Sequence, residues 1–209
     1  MRQLRGVSRH YVADYEYDPA TGKVTFSTPT KYGETKNISR DITSDNEEVW
    51  ADNKLQDTTY GGTSVARTFG CTRIDPAVEA KSLGKTTYKT ASGLTVYGTA
   101  QDGSSRPFEA HGYALHDGDP NKPCELVWCF KGITNSISQA SNSIDRGTGS
   151  EGQEAQINFH APDAVWAKTG KADLDISLPV DATVKAEMID KWFEQVVTYD
   201  NIDEIYPAS

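Results

Sequence analysis

The stretch that decides the fold runs from Glu48 to Lys85, EVWADNKLQDTTYGGTSVARTFGCTRIDPAVEAKSLGK. It opens on Ala51-Asp52-Asn53, where Asp and Asn side chains hydrogen-bond their own backbone and favour a tight turn. Gly62 to Ile74 follows, rich in β-branched and aromatic residues, and reads as a long strand. Asp75 then offers a side-chain acceptor as N-cap, and Pro76 suits the first helical position, where its missing N–H costs nothing. Gly84 sits where a left-handed C-cap belongs, so the spacing predicts a short helix over 76–83.

Strand patterns dominate outward from there. His10 to Tyr17 alternates, with Tyr11, Ala13, Tyr15 and Tyr17 on one face and His10, Val12, Asp14 and Glu16 on the other. Asp18-Pro19-Ala20-Thr21-Gly22 is turn chemistry, and Lys23 to Thr28 completes a hairpin. Thr35 to Asn46 reads as a strand between polar loops, with 29–50 as a whole a long, apolar-poor connection. Residues 86–98 read as a second hairpin turning at Ser92-Gly93. Phe108 to Leu115 and Glu125 to Ile137 read as paired strands around 117–123. On the second of these, Leu126, Trp128 and Phe130 share one face while Glu125, Val127, Cys129 and Lys131 share the other, a pattern suited to a sheet with one side in a core. Residues 138–152 are rich in Ser, Asn and Gly and read as a long loop that cannot bury enough surface to order itself. Glu154 to Ala161 and Lys171 to Pro179 supply the last strands. A second helix is predicted over about 182–197. There Val184, Met188, Ile189, Trp192, Phe193 and Val196 fall within half the circumference, and Glu187 stands four residues before Lys191. The tail 198–209 is polar and reads as extended. No repeat of solenoid period and no dividing linker stands out, so one domain over 1–209 is expected.

The chain has 209 residues, 36% of them apolar, and a mean hydropathy of -0.60. That apolar content is low for a solitary compact domain. It fits a β protein with a polar outer face, or a subunit whose stability is completed by its neighbours. A net charge of -9 argues against wrapping DNA or binding an anionic membrane surface, because phosphate binding needs concentrated Lys and Arg. No apolar run approaches the ~20 residues of a bilayer span. Arg2 and Arg5 have no apolar stretch behind them, so no signal peptide is expected. The three cysteines, Cys71, Cys124 and Cys129, are odd in number and lack disulfide-framework spacing, as in a protein assembled in a reducing cytoplasm.

No residue set supports catalysis or a cofactor. His111, His116, Cys124 and Cys129 have zinc-type chemistry, but each pair is five apart, so two residues of a strand would point to opposite faces. There is no Gly-x-Ser-x-Gly elbow, and His10, His111, His116 and His160 are scattered. Asp45, Glu47 and Glu48 cluster near Trp50, and Asp173 and Asp175 share a strand face. All lie in polar loops or on open strands, where both members of a glycosidase pair would stay ionised. Gly61-Gly62 and Gly147-x-Gly149 lack the strand–loop–helix setting of a phosphate cradle. Asp117-Gly118-Asp119 lacks the remaining ligands of a calcium loop.

Four segments resemble, in order, the major tail protein of long, non-contractile-tailed phages. They are Trp50-Ala51-Asp52-Asn53 with Ala80-Lys81-Ser82-Leu83-Gly84, then Ala110-His111-Gly112-Tyr113, Val127-Trp128-Cys129-Phe130-Lys131-Gly132, and the Trp192, Phe193 and Val196 of the second helix. Trp50 stands where that family more usually carries Tyr. The resemblance implies a mainly β, tail-tube-type β-sandwich with a short flanking helix and a C-terminal helix, which runs no reaction and carries no cofactor or metal. It implies a virion protein, assembled in the host cytoplasm, that closes into hexameric rings stacked head to tail. Viral DNA would pass through their channel without specific binding. The implied partners are further copies of the chain, the tape measure protein, and the tail terminator and tip proteins, with no membrane. On this reading 107–131 contributes to the channel wall, and 29–50, 138–152 and 198–209 make ring-to-ring contacts. Deleting 139–150 should spare folding and stop tube growth. The rival readings are a carbohydrate-binding β-sandwich with Tyr15, Tyr17, Trp50 or Trp166 as a stacking platform, and a receptor-binding or neck component of the same virion.

Overall fold

Alternating side chains draw residues 6–18 into an extended strand buried on both faces, and the architecture is built out from it. The computed structural model describes residues 6–51, 54–99, 106–119, 122–140 and 152–207, with side chains described outside 44–51 and 54–62. In chain order the elements are β1 (Gly6–Asp18), β2 (Lys23–Phe26), β3 (Thr30–Lys31), β4 (Gly33–Ala51), β5 (Lys54–Ile74), α1 (Pro76–Ser82), β6 (Thr86–Lys89) and β7 (Thr95–Gly98). They continue as β8 (Glu109–His116), β9 (Glu125–Gln139), β10 (Gln153–Phe159), β11 (Asp175–Pro179), α2 (Ala186–Glu194) and α3 (Ile202–Ile205). The chain is mainly β, as its patterning predicts, with a large antiparallel sheet and few short helices.

That sheet has nine strands in the order β2-β1-β8-β9-β10-β5-β4, with β3 beside β1 and β11 beside β9. It does not stay flat. His10 on β1 stacks on Phe69 of β5 with ring centroids 4.2 Å apart, although β8, β9 and β10 lie between those strands in hydrogen-bonded order. The sheet therefore curls over on itself into two layers. The curl runs through β9, whose first half pairs β8 and β11 and whose second half pairs β10. A register shift between Gln156 and Ile157 marks the bend. β3, paired with β1, passes through the single residue Tyr32 into β4, paired with β5. The two ends of the sheet thus meet at one fully buried tyrosine.

One core lies between the layers, built on Val12, Tyr32, Phe69, Tyr113, Val127 and Phe159. The other lies under α2 and the C-terminal segment, built on Ala110, Leu126, Trp128, Phe130, Trp192 and Phe193. β8 and the first half of β9 are consequently buried on both faces, not on one as their alternation suggests. The run Leu126-Val127-Trp128-Cys129-Phe130 is apolar at every position, the mark of a doubly covered strand.

The short helix is capped as its sequence predicts. Asp75 Oδ1 accepts from the backbone N–H of Ala77 at 2.8 Å and of Val78 at 3.4 Å. Gly84 takes φ +62°, a conformation that costs a residue without Cβ little. Four other expectations shift. The strand expected over 35–46 is present, but the polar loops expected around it within 29–50 are mostly strand as well: β3 and the 19-residue β4 occupy them, because β5 supplies a ladder along which a polar strand can pair with one face in water. The last strand begins at Asp175, not Lys171, since the preceding residues turn back to let the Trp166 N–H donate to Lys171 O at 3.0 Å. α2 begins at Ala186, because Asp181 Oδ1 holds Thr183 in a local turn and delays the helix. The tail is not extended: Ile202 to Ile205 form α3, Ile205 is buried, and Tyr206 stacks on Trp192 with centroids 6.3 Å apart. Ile205 and Tyr206 pack into the core under α2, which holds the turn in place. The Trp50–Asn53 turn lies partly, and the 138–152 loop mostly, outside the described residues.

Candidate functional site

The residues with metal or catalytic chemistry are dispersed. His116 Nδ1–H donates to Asp119 O at 3.0 Å, leaving Nε2 to accept the Ser8 hydroxyl at 2.7 Å. His111 lies in the inner core. Cys129 is buried, and desolvation pushes its thiol pKa up to about 12. Among the described residues no three His, Cys, Asp or Glu side chains converge on a metal-sized site. Asp175 is engaged by the buried Arg67, and Asp173 accepts from Thr169 at 3.0 Å, so this carboxylate pair serves two local contacts. The side chains of Asp45, Glu47, Glu48 and Trp50 lie outside the described residues. The aromatic platform of the carbohydrate reading does not form from the others. Tyr15 is buried with its hydroxyl donating to Asp163 Oδ2 at 3.0 Å, and Trp166 is buried against Phe130 at 4.7 Å. Only Tyr17 of these three is open to solvent.

One polar cluster is invisible in the linear sequence. In the inner core, His10 Nε2 and His111 Nδ1 stand 3.1 Å apart, and His10 Nδ1 stands 2.9 Å from Thr35 Oγ1. Thr35 Oγ1 lies 3.5 Å from Cys71 Sγ, His111 Nε2 lies 3.7 Å from Glu109 Oε2, and Ser82 donates to Glu109 Oε1 at 2.9 Å. One proton arrangement fits the short contacts and leaves His111 Nε2 and Glu109 Oε2 without a hydrogen bond. The Thr35 hydroxyl donates to His10, His10 Nε2–H donates to His111, and His111 Nε2–H points at the Glu109 carboxylate. His10 and His111 are at most 1% exposed, so the row is sealed from solvent by the residues around it. The row links β1, β4, β8 and the end of α1 across the inner core.

Two features remain on the surface. The first is the outward face of β4, β5 and β10. Cross-strand pairing aligns Ser39, Thr68 and Gln156 on one rung and Asp41, Ala66 and Asn158 on the next, flanked by Thr43, Ser64 and Glu154. Along these rungs the face is neutral or acidic, without Lys or Arg. The second is the far half of the β4–β5 ribbon. β10 pairs β5 from Val65 to Cys71, so among the described residues Lys54–Ser64 and Thr43–Ala51 pair with each other alone. The outer edge of β4 has no strand partner among the described residues. Residues 107–131, expected on a channel wall, do not offer one, since both faces of β8 and of the paired part of β9 are covered within the subunit.

No family model and no curated protein matches the chain. Among solved structures it is similar to a chain of the sheath–tube complex of an extracellular contractile injection system in the extended state, with 12% identity and a TM-score of 0.42, over 82% of this chain and 89% of that one. It is similar to a chain of the tube-terminating cap of the anti-feeding prophage, with 10% identity and a TM-score of 0.37, over 82% and 89%. A chain of the anti-feeding prophage baseplate gives 9% identity and a TM-score of 0.28, over 75% and 91%. At these scores the likeness carries no function to this chain.

Sequence reasoning missed the histidine row because its members come from positions 10, 35, 71, 109 and 111. It missed the cation-free face because the pairing of β4, β5 and β10 joins segments more than 80 residues apart. The alternation of Gln153 to Phe159, buried and exposed in turn, is the local trace from which that face could have been read.

Proposed function

We propose that this chain is a structural subunit that assembles with copies of itself into a tail tube of the non-contractile phage type, as stacked hexameric rings forming a conduit for DNA. The observation that carries the reading is the outward face of β4, β5 and β10, a broad sheet surface of small polar and acidic side chains with no cation along its rungs. Turned toward a channel, it offers DNA no phosphate anchor. Six copies at -9 each add a repulsive field that keeps the duplex off the wall within about 8–10 Å at physiological salt. The ordered series of segments resembling the major tail protein supports the same assignment. So does the β4–β5 ribbon, since a two-stranded ribbon is marginal alone and an unpaired edge calls for another chain.

In this reading one interface repeats around the ring and a second, non-closing one stacks rings into a tube. Ring-to-ring contact in this reading falls to the far half of the β4–β5 ribbon, whose β4 side overlaps the expected 29–50 and whose β5 side, Lys54–Ser64, lies beyond it. The tape measure protein would fill the bore and the terminator and tip proteins would close the ends of a virion tail assembled in the host cytoplasm. Negative-stain microscopy of the concentrated protein tests the assembly, with rings or tubes as the expected result. A chain that stays solitary at every concentration overturns it. A bore lined mainly by Lys and Arg overturns the conduit role while leaving the assembly.

A further inference from the structure

The described residues expose eight large apolar side chains, and four of them sit on one small hairpin: Tyr88 at 65%, Leu94 at 66%, Val96 at 51% and Tyr97 at 37%. The hairpin is β6 paired with β7, a ribbon separate from the main sheet, and every residue of both strands is exposed. Tyr88 pairs directly with Val96, and Leu94 lies two residues before Val96, so these three share one face. The tip is well formed. Gly93 N–H donates to Thr90 O at 2.9 Å, Thr90 N–H to Leu94 O at 2.8 Å, and Leu94 N–H to Thr90 Oγ1 at 3.0 Å. A rigid two-stranded ribbon with an open apolar face is marginal in water unless something covers it.

The same chain carries a groove of roughly 490 Å³ that its own hairpin does not fill. Ile42, Val65, Leu174 and Tyr199 supply its apolar lining, and Asp173 and Asp175 stand there with Arg40 and Lys171. Ile42 is 57% exposed on this rim. Arg67 engages Asp175, which leaves Asp173 as the carboxylate less tied by charge. The only charged residues of 85–98 are Lys85 and Lys89, both cationic in a chain of net charge -9. Lys85 is held by Glu79 at 2.6 Å, so Lys89 is the cation the hairpin presents.

We propose that the β6–β7 hairpin of one copy seats its Tyr88–Leu94–Val96 face in the Ile42–Leu174–Tyr199 groove of a second copy, with Lys89 facing Asp173. The inference rests on the self-assembly reading and names one of its contacts. A protruding patch and a receiving groove at different places on the same chain make a heterologous interface, which propagates or closes into a ring.

The test compares the wild type with a double variant, Leu94→Glu and Val96→Glu, both at exposed positions. The variant should unfold at the same temperature as the wild type and need at least about tenfold more protein to assemble, the effect of removing a central apolar anchor. Leu94→Cys combined with Ile42→Cys should give a ladder of disulfide-linked oligomers on oxidation of assembled protein, while either single cysteine variant should not. A double-glutamate variant that assembles like the wild type overturns the hairpin contact and leaves self-assembly standing. Loss of assembly without a cysteine ladder overturns the groove as the receptor. A wild type that never assembles overturns both this contact and the assembly reading.

Discussion

At His10, burial and then the neighbouring His111 hold the imidazole neutral, with a pKa well below the ordinary 6.5. The unfolded chain binds a proton near pH 6.5 and the folded chain does not, so stability is fully present above that pH and falls as the pH drops through it toward the folded-state pKa. Unfolding free energies from denaturant titration should therefore be flat from pH 7 to 8 and decline below about 6.5, by up to ~1.4 kcal/mol per pH unit. His10→Phe should flatten that limb by about one proton's worth, at a cost at pH 7 of ~1–3 kcal/mol for the lost hydrogen bonds to Thr35 and His111. An unchanged acid limb in that variant would show the titration belongs elsewhere. Gly112 is a second residue where geometry is strict. A Cβ there would stand 2.6 Å from the Trp128 ring, which is fully buried and pinned by its Nε1–H to Trp192 O at 2.8 Å. Gly112→Ala should lose ~1–3 kcal/mol by overpacking, measured by urea unfolding. Neither consequence is readable locally: a lone His and a lone Gly in alternating strands look like any others.

At the scale of elements, α2 is held by side chains rather than by its backbone. It spans nine residues, has no side-chain N-cap, and buries Ile189, Trp192 and Phe193. So short a helix is marginal in isolation, and its docking carries it. Trp192→Ala should cost ~3–5 kcal/mol, read from denaturant midpoints. A loss below ~1 kcal/mol would mean the ring contributes little to docking. The stripe Ile189, Trp192, Phe193 and Val196 was plain in the sequence because helical spacing repeats within a few residues. The helix ends were not. Asp181 bonding Thr183, and Gln195 turning extended, are local competitions that periodicity does not register. α3 escaped because a single turn offers too few repeats for any period, and its helical form follows from Ile205 and Tyr206 meeting α2.

At the scale of the whole molecule, the ribbon beyond Val65 is the part the fold does not need. Among the described residues Glu47–Ala51 and Lys54–Thr59 pair only within the ribbon, so replacing 47–58 by a short turn should leave unfolding of the subunit within ~1 kcal/mol and abolish tube growth in negative stain. Normal tubes from that variant would move the stacking contact elsewhere. Residues near one another in the chain do not specify α3, the ends of α2 or the full length of β4, but they do specify most of the strands, the existence of α1 and α2, the caps of α1, the turns at 18–22 and 92–93, and the two faces of β1. These follow from the alternation, spacing and chemistry of residues close together in the chain. Tertiary structure alone decided that the sheet curls until His10 lies on Phe69, that β8 and β9 are covered twice, that a histidine row closes the inner core, and that the cation-free face spans three strands. Each of these depends on which distant segments pair and on how far β9 bends, and the free energy for that comes from burying both cores together, a sum over the whole chain that no local window contains.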